Sequence, residues 1–250
     1  MVSIITPSYN CSRFITDTVE SVLSQSYVDW EMIIVDDCSI DNSVEIIERI
    51  IGDNPKIRLI KLENNVGSAQ SRNAALEVAN GRFIAFLDSD DIWHPDKLEK
   101  QVEFMLKRKV PISFTSYELI DENGVSKDHI IHSVDKLTQI DYLKNTIIGF
   151  STSMIDIEMV GDNFRMRDIR TRQDASLWIT LLGKGYIAKG IDEVLMKYRV
   201  HSQSISANKV KATKQVWNLY FNLHRLGLLK SMYYFSFYVF NAIKKRINFS

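Results

Sequence analysis

Short apolar runs alternate with segments of helical periodicity through the first half of the chain. Val2 to Thr6 is an apolar run ending in a proline turn, and Ile15, Val19, Val22 and Leu23 then recur at the spacing of one helix face. Glu31 to Val35 is a second run, stopped by two aspartates. Asn42 and Glu45 are spaced as a capping box ahead of the stripe Val44, Ile47 and Ile51. Ile57 to Leu62 predicts a strand and Gly67 to Ala79 a helix of small residues. Arg82 to Leu87 predicts a strand that stops at Asp88. Pro95 opens a helix containing Leu98, Val102 and Met105, and Pro111 to Leu119 reads as a strand before the turn signal Asn123-Gly124.

Strand and helix alternating at this pace predict an α/β fold with a mostly parallel central sheet. In such sheets ligands bind beyond the carboxyl ends of the strands. The loops there hold Pro7 to Asn10, Asp36-Asp37, Asn64 to Gly67 and Asp88 to Asp91, so polar and acidic residues gather where chemistry is expected. The second half is less regular. Thr171 to Leu182 reads as a helix with Ala175, Leu177, Trp178 and Leu181 on its apolar side. Glu193 to Val200 reads as a strand and Lys209 to Leu226 as a helix. Leu228 to Ile243 is an aromatic-rich apolar run that ends in Lys244-Lys245-Arg246. It falls short of the ~20 residues that span a bilayer.

Composition adds one thing, an uneven charge. The 250 residues are net neutral, yet no Asp or Glu follows Glu193, while 10 Lys and Arg do. An acidic body suits a metal site, and a basic aromatic tail suits an anionic membrane surface. A helix packed on the body is the other reading of that tail. Cys11 and Cys38 are too few for a disulfide framework, which points to a reducing compartment. The N-terminus has neither the basic nor the apolar region of a secretion signal.

Asp88, Asp90 and Asp91 follow the strand ending at Leu87. Three carboxylates in four positions repel one another unless a cation lies between them, and oxygen donors select Mg²⁺ or Mn²⁺. Asp37 ends the second strand and is expected to contact a ligand; Asp41 is expected to serve structure.

Together these segments resemble the inverting family 2 glycosyltransferases, which have the nucleotide-sugar-binding GT-A fold. The matching stretches are Ile4 to Asn10, Ser24-Gln25-Ser26-Tyr27, Glu31 to Ser39, Asn65-Val66-Gly67, Ser71-Arg72-Asn73 and Phe86 to Asp91. They continue with Thr171 to Trp178 and Tyr198-Arg199-Val200-His201. The resemblance implies that Asp37 binds a uracil ring, that Pro7 and Tyr9 line the base pocket, and that Arg72 and Asp88 lie at the nucleotide. It implies a Mn²⁺ or Mg²⁺ ion on Asp90, with Asp91 as a substitute. Asp174 matches the catalytic base, and Gln173 stands where many members have Glu. Arg199 would close over the donor diphosphate, and His201 stays open between site and structure. Arg165, Arg167, Arg170 and Arg172 crowd before Asp174, where they meet either a phosphate of a lipid-linked acceptor or solvent. The donor implied is a UDP-sugar. The acceptor implied is a bacterial surface glycan such as an O-antigen, capsule or lipooligosaccharide, free or on a lipid diphosphate. No nucleic-acid partner is implied. The enzyme would work as a peripheral protein in the cytoplasm, at the inner face of the cell membrane.

Three rivals fit less well. A metal-dependent phosphatase of the haloacid-dehalogenase type shares Asp88-Ser89-Asp90, but its loop ends the first strand. A receiver domain needs about half this length. A membrane-surface or sugar-binding scaffold leaves Asp90 and Asp174 without use. The expected organisation is a catalytic domain over residues 1–207, split into 1–120 for the nucleotide-sugar and 121–207 for the acceptor side, and a helical tail over 208–250.

Overall fold

The computed structural model describes residues 1–201 and 209–247, excluding the side chains of 209–212 and 242–247. The boundary drawn between 207 and 208 lies outside the described residues, as do the side chains of Lys209, Lys211, Lys244, Lys245 and Arg246.

The first half follows the predicted alternation: β1 (Val2–Ser8), α1 (Ile15–Leu23), β2 (Trp30–Asp36), α2 (Ser43–Ile51), β3 (Ile57–Lys61), α3 (Ser68–Val78), β4 (Phe83–Phe86), β5 (Ile92–Trp93), α4 (Lys97–Arg108) and β6 (Ile112–Ile120). The second half adds β7 (Ser126–Ile131), β8 (Lys136–Leu137), α5 (Gln139–Lys144), β9 (Met154–Asp156), α6 (Ile157–Val160), α7 (Gln173–Gly183), β10 (Ala188–Arg199), α8 (Lys209–Asn218) and α9 (Leu228–Ile247). The sheet runs β3-β2-β1-β4-β9-β6-β10-β5, with β7 on β6 and β8 on β10. β3, β2, β1 and β4 are mutually parallel, and β6 is parallel to β10. The short β9 joins these two parallel blocks by pairing antiparallel with β4 and with β6. The sheet is therefore mixed, and its parallel order 3-2-1-4 puts four loops side by side at the carboxyl ends.

Both faces of the sheet are covered, which is why its strands read as continuous apolar runs rather than alternating ones. Val2, Ile4, Met32 and Ile34 pack under α1, α2 and α4 through Ile15, Val19, Ile47, Leu98 and Val102. Ile5, Ile33, Val35 and Phe86 face the other way, against α3, α5 and α7 through Ala75, Tyr142, Leu177, Trp178 and Leu181. Each such large apolar side chain contributes roughly 1.5–3 kcal/mol by leaving water.

Two local expectations are corrected. Asn42 caps α2 by position but its side chain makes no capping bond, so the Asn42–Glu45 box does not form. Asp41 takes that work: its Oδ1 accepts from Ser43 N at 3.0 Å and from Ser43 Oγ at 2.5 Å. The helix expected over Lys209 to Leu226 ends early as an α-helix. It widens over Leu219–Leu223, where His224 N reaches back to Leu219 O, and the chain turns at Gly227 (φ +81°). The wide turn points Tyr220 inward, and its hydroxyl donates to Leu143 O at 2.7 Å.

The aromatic tail is α9, and it packs on the body. Tyr234, Phe235 and Tyr238 lie against the α7-side core. Its other face exposes Leu229 (83%), Met232 (54%) and Phe240 (65%). Among the described residues no helix is long and apolar enough to cross a membrane.

Candidate active site

The loops that follow β1, β2, β3 and β4 open on a cavity of about 610 Å³ that the first turn of α7 also lines. Pro7, Tyr9, Asp37, Arg72, Asp88, Asp90, Arg172, Asp174 and His201 all line it. Asp91 and Arg199 do not.

The loops after β1 and β2 are stitched to each other. Ser39 Oγ accepts from Asn10 N at 2.9 Å, and Asn10 Oδ1 accepts from Ile40 N at 2.9 Å. Asp36 turns inward to Ser8 and Ser39. That leaves Asp37 as the aspartate of the pair at the cavity. Its two oxygens accept from Val66 N at 2.7 Å and Gly67 N at 2.8 Å. Gly67 has φ +90°, a backbone conformation that a side chain would strain, so glycine is required where the chain turns into α3. A carboxylate oxygen has two acceptor sites, so Asp37 keeps capacity for a further donor.

Arg72, from α3, is 5% exposed and lies with its guanidinium carbon 4.7 Å from the Phe150 ring centroid. Its Nη2 donates to Asp88 Oδ1 at 2.5 Å. Its buried Nε and Nη1 have no hydrogen-bond partner among the described residues. Unpaired buried donors are costly and rare. Here they belong to a side chain that lines the cavity, which suits a ligand's carbonyl or phosphate oxygen.

The three acids of the Asp88 loop divide into two kinds. Asp90 lines the cavity with His201 Nε2 at 2.9 Å from its Oδ2. Burial, and then the neighbouring Asp88 charge, push its pKa up, while His201 works against them. Asp91 is 1% exposed and turned into the body. Its Oδ2 accepts from Ser151 Oγ at 2.5 Å and its Oδ1 from Arg199 N at 3.1 Å. Burial holds the Asp91 carboxyl well above the usual carboxylate range. The geometry thus removes Asp91 from the candidate metal ligands. Arg199 is displaced for a related reason. Its guanidinium binds Asp90 O at 2.9 Å, Glu122 O at 3.1 Å and Asp17 Oδ2 at 2.7 Å. It braces the back of the acidic loop and is 1% exposed, so it offers no donor to a diphosphate.

Among the described residues no three His, Cys, Asp or Glu side chains converge as a preformed metal cluster. Asp90 and Asp88 still fit a hard cation. They are oxygen donors on one loop, and Mg²⁺ or Mn²⁺ ordinarily completes its shell with water and phosphate oxygens.

Asp174 sits in the first turn of α7. Arg172 caps that turn in the left-handed conformation (φ +63°). Gln173 is buried, and its Nε2 donates to Ser68 Oγ at 2.6 Å. Sequence reasoning missed Phe150 and Gln215, which also line the cavity, and Ser151 behind it. None belongs to a motif. They arrive from segments whose local pattern is weak.

The layered fold, with its cavity over the carboxyl ends of β1, β2 and β4, defines a GT-A type glycosyltransferase. The chain belongs to glycosyl transferase family 2, whose family model matches residues 3–164. It is 50% identical over 247 residues to the Bacillus subtilis protein named "Putative teichuronic acid biosynthesis glycosyltransferase TuaG"; the match covers 99% of this chain and 98% of TuaG. It is 36% identical over 247 residues to the Escherichia coli UDP-Glc:alpha-D-GlcNAc-diphosphoundecaprenol beta-1,3-glucosyltransferase WfgD, covering 98% and 94% of the two chains. Among solved structures it resembles the mannosyltransferase PcManGT from Pyrobaculum calidifontis in complex with GDP-Man and Mn²⁺. The TM-score is 0.69 at 18% identity, over 91% of this chain and 65% of that one. The chain is a glycosyltransferase.

Proposed function

We propose that the enzyme transfers a sugar, with inversion, from a UDP-sugar to a hydroxyl of a bacterial surface glycan carried on a lipid diphosphate. The observation that carries this reading is the convergence of Asp37, Arg72, Asp88, Asp90 and Asp174 on one cavity. The uracil would lie between Pro7, Tyr9 and Asp37, with the unpaired donors of Arg72 on the nucleotide. Asp88 and Asp90 would hold Mn²⁺ or Mg²⁺. When bound, that ion would offset the charge of the diphosphate as it leaves.

Asp174 is the general base. It takes the proton of the acceptor hydroxyl as that oxygen bonds to the anomeric carbon, and the bond from that carbon to the diphosphate oxygen breaks on the opposite face. Support for a UDP-sugar donor and a lipid-diphosphate acceptor comes from the name of WfgD. A peripheral place at the inner membrane face is supported by the exposed apolar side of α9 and the acid-free, basic sequence around it.

Calorimetric titration of UDP with Mn²⁺, and again with EDTA, tests the nucleotide site. Metal-dependent binding that disappears in Asp90→Ala is expected; equal binding in the variant refutes the assignment. Asp174→Asn should keep UDP affinity and lose about 10²–10⁴-fold in transfer rate, the range for removing a general base.

A further inference from the structure

The cavity is not uniform in charge. Its strand-end wall carries Asp37, Asp88 and Asp90, while the lip of α7 carries Arg172 beside Asp174. Arg72, Arg82 and Arg199 each pair with a carboxylate. Arg172 pairs with none among the described residues; its Nη2 instead lies 3.5 Å from the Tyr238 hydroxyl of α9. On the same side of the body the exposed Arg167 pairs with no carboxylate among the described residues and donates to Leu223 O at 3.0 Å. Burial and the nearby Arg167 charge lower the pKa of His224, which lies 3.1 Å from Ser176 Oγ one turn along α7 from Arg172. The seam between α7 and the C-terminal helices therefore holds positive charge that no carboxylate pairs with among the described residues.

A half-buried guanidinium without a counterion is poorly placed unless an anion comes to it, and its planar fork matches phosphate. We propose that Arg172, oriented by Tyr238, is a second anion subsite that takes the phosphate of the acceptor's carrier. The proposed partners of the donor diphosphate, Arg72, Asp88 and Asp90, lie on other segments of the cavity lining. Arg172 adjoins the base, on the side where an acceptor hydroxyl must approach Asp174. The subsite also makes the C-terminal helices part of the catalytic unit, since Tyr238 belongs to α9 and Gln215 of α8 lines the same cavity. This inference rests on the reading of the chain as an enzyme with a nucleotide-diphosphate donor and a carrier-linked acceptor.

The test titrates farnesyl diphosphate into protein already saturated with UDP and Mn²⁺, with phosphatidylglycerol vesicles as a separate arm. Wild type should bind the probe without releasing UDP. Arg172→Gln should weaken that binding about tenfold or more, as expected for losing a charge-assisted contact. Tyr238→Phe should weaken it by a smaller factor, and both variants should keep UDP affinity. Competition between the probe and UDP, or equal probe affinity in Arg172→Gln, would overturn the subsite. So would loss of vesicle binding with probe affinity intact, because Arg172 would then read bilayer headgroups. If wild type fails to bind UDP at all, it is the donor reading that falls, and the probe is then titrated into the protein alone.

Discussion

Gln173 Nε2 donates to Ser68 Oγ at 2.6 Å and so ties the first turn of α7 to the first turn of α3. Ser68 follows Gly67, whose N–H is held by Asp37. One line of contacts thus runs from the proposed base-binding carboxylate to the residue before Asp174. Gln173 is 7% exposed, and a neutral amide costs less to bury there than the Glu that the family resemblance leads one to expect. Gln173→Ala should lower stability by about 1 kcal/mol. It should lower kcat by about ten- to a hundredfold, through misplacement of Asp174. Urea denaturation and steady-state transfer kinetics check both. A wild-type kcat would show that this contact does not set the position of Asp174.

Ser151 carries a second prediction. Its Oγ accepts from Asp88 N at 3.1 Å and donates to Asp91, and its carbonyl takes the Trp93 indole N–H at 2.7 Å. Ser151→Ala strips a buried carboxyl of one donor, which costs about 1–3 kcal/mol. The acidic loop loses its anchor with it, so UDP binding in Mn²⁺ should weaken in step with the urea midpoint. Unchanged stability would mean that Asp91 finds another donor.

Much of the first half was legible because both core layers write continuous signals. Ile15, Val19 and Val22 form one stripe, and the runs of β1 and β2 are apolar on both faces. The strand-end loops could then be named before any coordinates. What stayed hidden depends on partners distant in sequence. Asp90 and Asp91 are adjacent in the chain. Ser151, 60 residues further on, is what turns Asp91 inward. The resemblance assigns Arg199 to the donor diphosphate, but Asp17 and the carbonyls of Asp90 and Glu122 consume it. β5 and β8 are two residues each and β9 is three, too short for any periodicity; their neighbours in the sheet define them.

His224 gives a pH dependence with a definite sign. Burial, and then Arg167, pull its pKa down from 6.5 to about 4. A depressed folded-state pKa means that the unfolded chain binds the proton first. The stability tied to a neutral His224 is complete above about pH 6.5 and is lost as pH falls towards about 4. His224→Gln, which can still meet Ser176, should flatten the stability–pH curve across that window. Urea midpoints at half-unit steps read it directly; parallel curves for wild type and variant would show that His224 is not the group responsible.

The tail helix can be tested without removing it. Cutting the chain after Ser231 would take away Tyr234, Phe235 and Tyr238, which pack on the core, so lost vesicle binding there would be confounded with lost structure. Leu229 and Phe240 are 83% and 65% exposed on the outer face and can be changed with little effect on the fold. Lys144 lies 5.2 Å over the Phe237 ring and adds a cation beside that face. An apolar stripe with cations near it is the arrangement that binds an anionic interface. Each large apolar side chain is worth about 1.5–3 kcal/mol when fully buried. Leu229→Glu with Phe240→Glu should therefore cut partitioning onto phosphatidylglycerol vesicles by about tenfold or more. The thermal midpoint should hold, because surface changes of this kind stay within about 0.5 kcal/mol. Co-sedimentation with vesicles measures the first and calorimetry the second. Unchanged sedimentation of the double variant would mean that the exposed stripe does not meet the membrane, and the basic residues alone would have to account for any attachment.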